Sequence, residues 1–148
     1  HHRLPISRET QLGATFVSQD ELLQRADIVT LHLPLTTQTT HLIDNAAFSK
    51  MKSTALLINA ARGPIVDEQA LVTALQQHQI AGAALDVYEH EPQVTPGLAT
   101  MNNVILTPHL GNATVEARDG MATIVAENVI AMAQHQPIKY VVNDVTPA

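Results

Sequence analysis

Four short apolar runs recur along the chain at nearly even distances: Ile28-Val29-Thr30-Leu31-His32-Leu33, Ala55-Leu56-Leu57-Ile58-Asn59, residues 81–87 and residues 103–107. They are apolar continuously rather than at alternate positions, which is the pattern of strands buried on both faces of a parallel sheet. Between them the pattern changes to a helical period. Ser18-Gln19-Asp20-Glu21 has the form of a capping box ahead of Leu22-Leu23, and Asp44 and Asp67 stand as N-caps for helices over residues 45–51 and 68–78. A weaker strand, Ala14-Thr15-Phe16-Val17, is expected before the first helix. The longest helix is expected from about Thr114 to Gln136, with Thr114 and Glu116 in its first turn and Pro137 just beyond it. Residues 138–148 form a short tail without helical period, and no internal repeat or low-complexity linker is present.

Strand alternating with helix predicts βα units, hence an α/β fold with a doubly wound parallel sheet and right-handed crossovers. Sheets of this kind bind ligands outside the carboxyl ends of their strands. Those ends carry His32-Leu33-Pro34-Leu35-Thr36, Asn59-Ala60-Ala61-Arg62-Gly63, Asp86-Val87-Tyr88-Glu89-His90-Glu91-Pro92 and Pro108-His109-Leu110-Gly111-Asn112. One arginine, one histidine and several carboxylates are therefore expected along a single edge.

Composition narrows the partners. A chain of 148 residues, 45% hydrophobic, is one globular domain in size. Its net charge of -6, with 8 Lys and Arg scattered along it, provides no basic stripe for nucleic acid. No apolar run approaches the ~20 residues of a bilayer span and no charged-then-apolar leader opens the chain, so no membrane association is expected. Without cysteine there is no disulfide or thiolate metal site, and a cytoplasmic location is permitted. The opening His1-His2 reads equally as native sequence or as the remnant of a purification tag.

Individual residues at the strand ends support two readings each. His109 is either an inert, hydrogen-bonded loop histidine or, held between Pro108 and Gly111 near a carboxylate, a group that gives and takes a proton near neutral pH. Glu91 is either a solvated charge or the partner that orients that imidazole and favours its protonated form, Pro92 restricting its backbone. Asp86 closes an apolar run, where an unpaired charge is costly, and so calls for a specific donor. Arg62 makes either a surface ion pair or an anion receptor whose planar fork matches a carboxylate, with Ala60 and Ala61 leaving room for a flat ligand. His32 reads as a pocket-lining or internally satisfied histidine, and His41, His78, His90 and His135 as surface positions. No histidine pair has the helical spacing of a metal site, so no metal is expected.

The segments "HLPLTTQTTHLIDNAAFSKMK", "LLINAARGPIVDEQALVTAL", "AGAALDVYEHEP" and "NVILTPHLGNAT", in this order, resemble the D-isomer-specific 2-hydroxyacid dehydrogenases, most closely their glyoxylate, hydroxypyruvate and 2-ketogluconate reductase members. The resemblance spans residues 12–143 and implies a Rossmann-type fold. It places the family's catalytic arginine, glutamate and histidine at Arg62, Glu91 and His109. It further implies a nicotinamide cofactor against Leu33, Pro34, Thr39, Ala60, Ala61, Arg62, Asp86, His109, Gly111 and Asn112. The implied activity is reduction of a small 2-oxoacid to the D-2-hydroxyacid: Arg62 holds the substrate carboxylate and His109, paired with Glu91, protonates the carbonyl oxygen. A homodimer is implied as well. A corepressor branch resembles the same fold and keeps the triad, so a non-catalytic NAD(P)-sensing module is the alternative reading.

The sequence departs from the family in one respect: no G-x-G-x-x-G occurs in it. The expectation is a carboxyl-terminal half, with residues 1–136 belonging to an NAD(P)-binding domain, residues 137–148 returning toward a substrate domain, and the piece inactive alone. The Rossmann sheet would then be incomplete, and its strand over residues 28–33 would carry an unpaired apolar edge. His1, His2 and Arg3 would follow the second strand of the family fold, where basic residues suit a 2′-phosphate, so the cofactor expectation is NADP over NAD.

Overall fold

The computed structural model describes residues 6–141, so His1, His2, Arg3 and the end of the tail lie outside the described residues. In chain order the elements are α1 (Ile6–Leu12), α2 (Gln19–Arg25), β1 (Ile28–Leu31), α3 (Asn45–Phe48), β2 (Leu56–Asn59), α4 (Glu68–Gln76), β3 (Gly82–Leu85), β4 (Val104–Leu106) and α5 (Val115–Ala133). Short 3-10 turns occupy Gly63–Ile65 and Leu98–Thr100. The described residues divide into two compact units, with the boundary between Pro108 and His109.

The helices start where a polar side chain can satisfy the first free N–H groups. Ser18 Oγ accepts from the Glu21 N–H at 3.2 Å, Asp44 from Ala47 at 2.9 Å, Asp67 from Ala70 at 2.9 Å and Thr114 from Ala117 at 3.1 Å. The box at Ser18 is not reciprocal, because the Glu21 carboxylate turns along the helix to Arg25 at 2.5 Å. Helix α1 was not expected from the sequence pattern.

The first unit is a four-stranded parallel sheet in the order β1-β2-β3-β4. Its register aligns Ile28 with Leu56 and Leu56 with Gly82. Consecutive parallel strands joined through helices α3 and α4 are the expected βα units. Residues 14–17 form no strand, contrary to the sequence expectation. A parallel strand exists only through its neighbour's hydrogen bonds, and no partner for this segment occurs among the described residues. Phe16 is instead 54% exposed, beside an apolar recess of about 300 Å³ walled by α2 and β1.

Burial on both faces is also overturned. Leu23 of α2, Phe48 of α3 and Leu71 and Leu75 of α4 pack with Val29, Leu31, Leu57 and Leu85 into one core. That covers one face of the sheet. On the other, Ile28 is 57%, Leu56 42% and Ile105 68% exposed. Continuous apolar sequence made both faces fit for burial, yet α2, α3 and α4 all contribute to the same side. In the second unit α5 has no buried residue, and Met121, Ile124, Val125, Val129 and Ile130 are exposed around its girth. These apolar residues interleave with Glu116, Arg118, Asp119, Glu127 and Asn128 rather than forming a single apolar face. No helix among the described residues is long and apolar enough to cross a membrane.

Candidate active site

The end of β2 is tied by its last residue. Asn59, 1% exposed, donates from Nδ2 to the Arg62 carbonyl at 3.0 Å and accepts the Ala61 N–H at Oδ1 at 3.1 Å, closing the turn that presents Arg62. The Arg62 guanidinium donates to the Ala61 carbonyl at 2.6 Å and makes no ion pair among the described residues. It stands at a cleft of about 480 Å³ whose walls are His32, Leu33, Pro34 and Leu35 after β1 and Ala60 and Ala61 after β2. A guanidinium with donors to spare beside two small residues is equipped to receive an anion with a flat group next to it.

Thr39 shapes one wall. Its hydroxyl donates to the Pro34 carbonyl at 2.8 Å and accepts the Thr36 N–H at 2.7 Å, so its hydrogen bonds are spent within the loop that carries Leu33 and Pro34. His32 meets Thr30 Oγ1 at 3.0 Å through Nε2 while lining the cleft, so both roles expected of it hold.

The end of β3 is braced against β4. Asp86 accepts from Thr107 Oγ1 at 2.5 Å, the specific donor its position required. The Tyr88 hydroxyl donates to the Thr107 carbonyl at 2.8 Å, and the Tyr88 N–H donates to Glu91 Oε1 at 3.0 Å. Burial first, then the carboxylates of Asp86, Glu68 and Glu91, push the Tyr88 phenol above the usual 10.0. The folded chain thus prefers the neutral phenol. That stabilisation is complete below the unfolded value and is lost as pH rises through the folded one. Phenolate absorbance in a Tyr140→Phe variant is expected to place the Tyr88 midpoint above 10.0, and a midpoint at or below that value would contradict the packing.

The loops after β2 and β3 touch. A Cβ added to Gly63 would lie 1.9 Å from the carbonyl carbon and oxygen of Tyr88, so Arg62 and Glu91 belong to loops in backbone contact. His109 is the first residue of the second unit, which also holds Gly111 and Asn112. Its φ of 53° lies in the left-handed region, which histidine enters more readily than most residues.

Three polar residues escaped the sequence reading as a group. Glu68 is 1% exposed, and Glu89 pairs with His41 at 2.7 Å, where His41 keeps the surface position expected of it. Glu68 and Glu89 are 21 positions apart, and no local pattern signals their pairing. Among the described residues no group of His, Asp and Glu is placed to hold a metal ion.

A parallel sheet of βα units with its polar side chains gathered beyond the strand ends defines a Rossmann-type nucleotide-binding domain. Comparison with known proteins gives the family. Residues 1–111 match the NAD-binding domain of the D-isomer specific 2-hydroxyacid dehydrogenases, and the chain belongs to that family. A Staphylococcus aureus (strain USA300) protein with the provisional name 2-hydroxyacid dehydrogenase is 54% identical over 136 residues, which are 92% of this chain and 43% of that protein. The glyoxylate reductase of Paecilomyes thermophila superposes with a TM-score of 0.80 at 42% identity, over 88% of this chain and 39% of that one. The D-mandelate dehydrogenase of Rhodotorula graminis superposes with a TM-score of 0.90 at 34% identity, over 99% and 44% respectively. The chain thus spans less than half the length of these relatives.

Proposed function

We propose that this chain carries the catalytic edge of an NAD(P)-dependent oxidoreductase that reduces a small 2-oxoacid, glyoxylate or hydroxypyruvate in kind, to the D-2-hydroxyacid. The observation that carries the reading is Arg62: a guanidinium at an open cleft, without a carboxylate partner among the described residues, in a family that acts on 2-hydroxyacids. Leu33, Pro34, Ala60 and Ala61 suit the nicotinamide end of the cofactor, being apolar or small where a flat ring needs room. The bound nicotinamide supplies the hydride.

The chain's own residues do the rest. Arg62 binds the substrate carboxylate and its neighbouring carbonyl oxygen in a bidentate grip, fixing the orientation of the carbon to be reduced. His109 gives its proton to the carbonyl oxygen, and Glu91 orients that imidazole for the transfer. Asp86 places the carboxamide of the ring and tunes the site. On the sequence evidence of His1, His2 and Arg3 the preferred cofactor is NADPH, and the working form is a cytoplasmic homodimer.

Loss of NAD(P)H absorbance with a panel of 2-oxoacids tests the reading in the full chain. The wild type is expected to reduce glyoxylate or hydroxypyruvate, and faster with NADPH at limiting cofactor. Removing the charge in Arg62→Leu is expected to lower kcat/KM on the order of 10²-fold, about 3 kcal/mol, mostly through KM for the oxoacid. An Arg62→Leu protein with unchanged KM would overturn the role of the arginine, and no reduction of any 2-oxoacid would overturn the activity.

A further inference from the structure

Glu68 sits in the first turn of α4, and yet its side chain is 1% exposed. Burying a carboxylate costs several kcal/mol unless hydrogen bonds replace its water. Start of a helix is a favourable place for a negative charge, but the helix does not need this one, because Asp67 already caps it through the Ala70 N–H at 2.9 Å. The bonds of Glu68 go elsewhere. Its Oε1 accepts the Glu89 N–H at 2.8 Å and its Oε2 accepts the hydroxyl of Thr95, groups 21 and 27 residues further along the chain. In return the Glu68 N–H donates to Glu89 Oε2 at 3.2 Å. The two glutamates clasp each other through backbone and side chain in both directions.

What this clasp holds is the loop of Glu91. Glu89 adjoins Tyr88, whose N–H donates to Glu91 Oε1 at 3.0 Å and whose carbonyl is the surface against which Gly63 packs. Gly63 follows Arg62. On the outer side Glu89 Oε1 lies 2.7 Å from His41 Nε2, while the His41 N–H donates to the Pro64 carbonyl at 2.8 Å. The loop after β3 is therefore fastened to the buried Glu68 carboxylate, and the loops after β1 and β2 join it through His41, Glu89 and the Pro64 carbonyl. We propose that Glu68 is a positioning residue: it locks residues 86–92 to the head of α4 and so fixes Glu91 relative to Arg62. This rests on the dehydrogenase reading of those two residues and extends it to a group that touches neither substrate nor cofactor.

Two substitutions at one site separate positioning from bulk. Glu68→Ala removes both acceptors, whereas Glu68→Gln keeps an oxygen for the Glu89 N–H and gains an amide that donates to the Thr95 hydroxyl. Amide exchange of residues 86–92, read by mass spectrometry, and the split between kcat and cofactor KM are measured in the full chain. Glu68→Ala is expected to speed that exchange about tenfold or more and to lower kcat about tenfold or more with cofactor KM little changed, since a lost charged hydrogen bond and a displaced catalytic group each reach that size. Glu68→Gln is expected to restore both. Unchanged exchange and kcat in Glu68→Ala, or a Gln variant as impaired as the Ala variant, overturns the proposal. Should Glu68→Ala not fold, Glu89→Ala, which removes the outer half of the clasp from a part-exposed site, is expected to move both readouts in the same direction, and no change there overturns the proposal too. A wild type that reduces no 2-oxoacid sinks the dehydrogenase reading, while exchange in residues 86–92 still upholds or overturns the clasp.

Discussion

Replacing Gly63 with alanine is expected to be the most damaging single change to the fold, lowering stability by about 3 kcal/mol, the upper end of what overpacking costs. The reason is the nature of the obstacle. The added methyl would meet the carbonyl carbon and oxygen of Tyr88 at 1.9 Å and the Glu89 nitrogen at 2.5 Å, all backbone atoms. A flexible side chain moves aside for little, but here the loop after β3 has to retreat as a body. That loop is fastened by Tyr88 to Thr107 and by Glu89 to Glu68, so retreat breaks hydrogen bonds as well as contacts. For a chain of 148 residues the loss corresponds to a drop of roughly 6–12 °C in Tm. Thermal unfolding of the variant measures it, and a loss below about 1 kcal/mol would show that the two loops do not approach as closely as described.

His109→Asn is expected to lower kcat by about 10²–10⁴-fold while leaving cofactor affinity unchanged, the effect of deleting a general acid. Asparagine is close in size, tolerates a positive φ such as the 53° at this position, and still donates a hydrogen bond, so the backbone need not rearrange. What it lacks is a transferable proton. Cofactor titration alongside steady-state rates separates the outcomes. An active His109→Asn protein would remove the proton donor from the mechanism, and a wild type that binds cofactor but reduces nothing would favour a sensor over an enzyme.

How far the sequence revealed the fold depends on the reach of each interaction. Ser18, Asp44, Asp67 and Thr114 all cap helices, because a capping bond spans three residues and its signal is local. The four apolar runs all contain strands, since β-branched and aliphatic clusters between polar breaks leave few alternatives. Residues 14–17 failed for the complementary reason: their composition suits a strand, but a strand is a property of two segments. The open sheet face failed likewise, as a continuous apolar run tells what a face tolerates and not what covers it.

The site divides in the same way. Arg62, Asp86 and Glu91 stand out in the sequence as candidates because each lies at or shortly beyond the end of an apolar run, where the fold sends its chemistry. The particular roles of Arg62, Glu91 and His109 came from the resemblance, not from spacing. The turn that aims Arg62 is held by Asn59, which reads in sequence as no more than the last residue of a strand. Glu68 was invisible, since helix-start glutamates are common and its partners lie in other loops.

The bare side of the sheet also bears on how this domain responds to heat and denaturant. Heat-capacity change and denaturant sensitivity both scale with the surface that unfolding newly presents to water. Ile28, Leu56 and Ile105 are already partly exposed, so their side chains add less to either quantity than core residues do when this chain unfolds. Any surface that seats itself on that side transfers the three residues to the buried account, and the domain's melting becomes sharper in both temperature and urea.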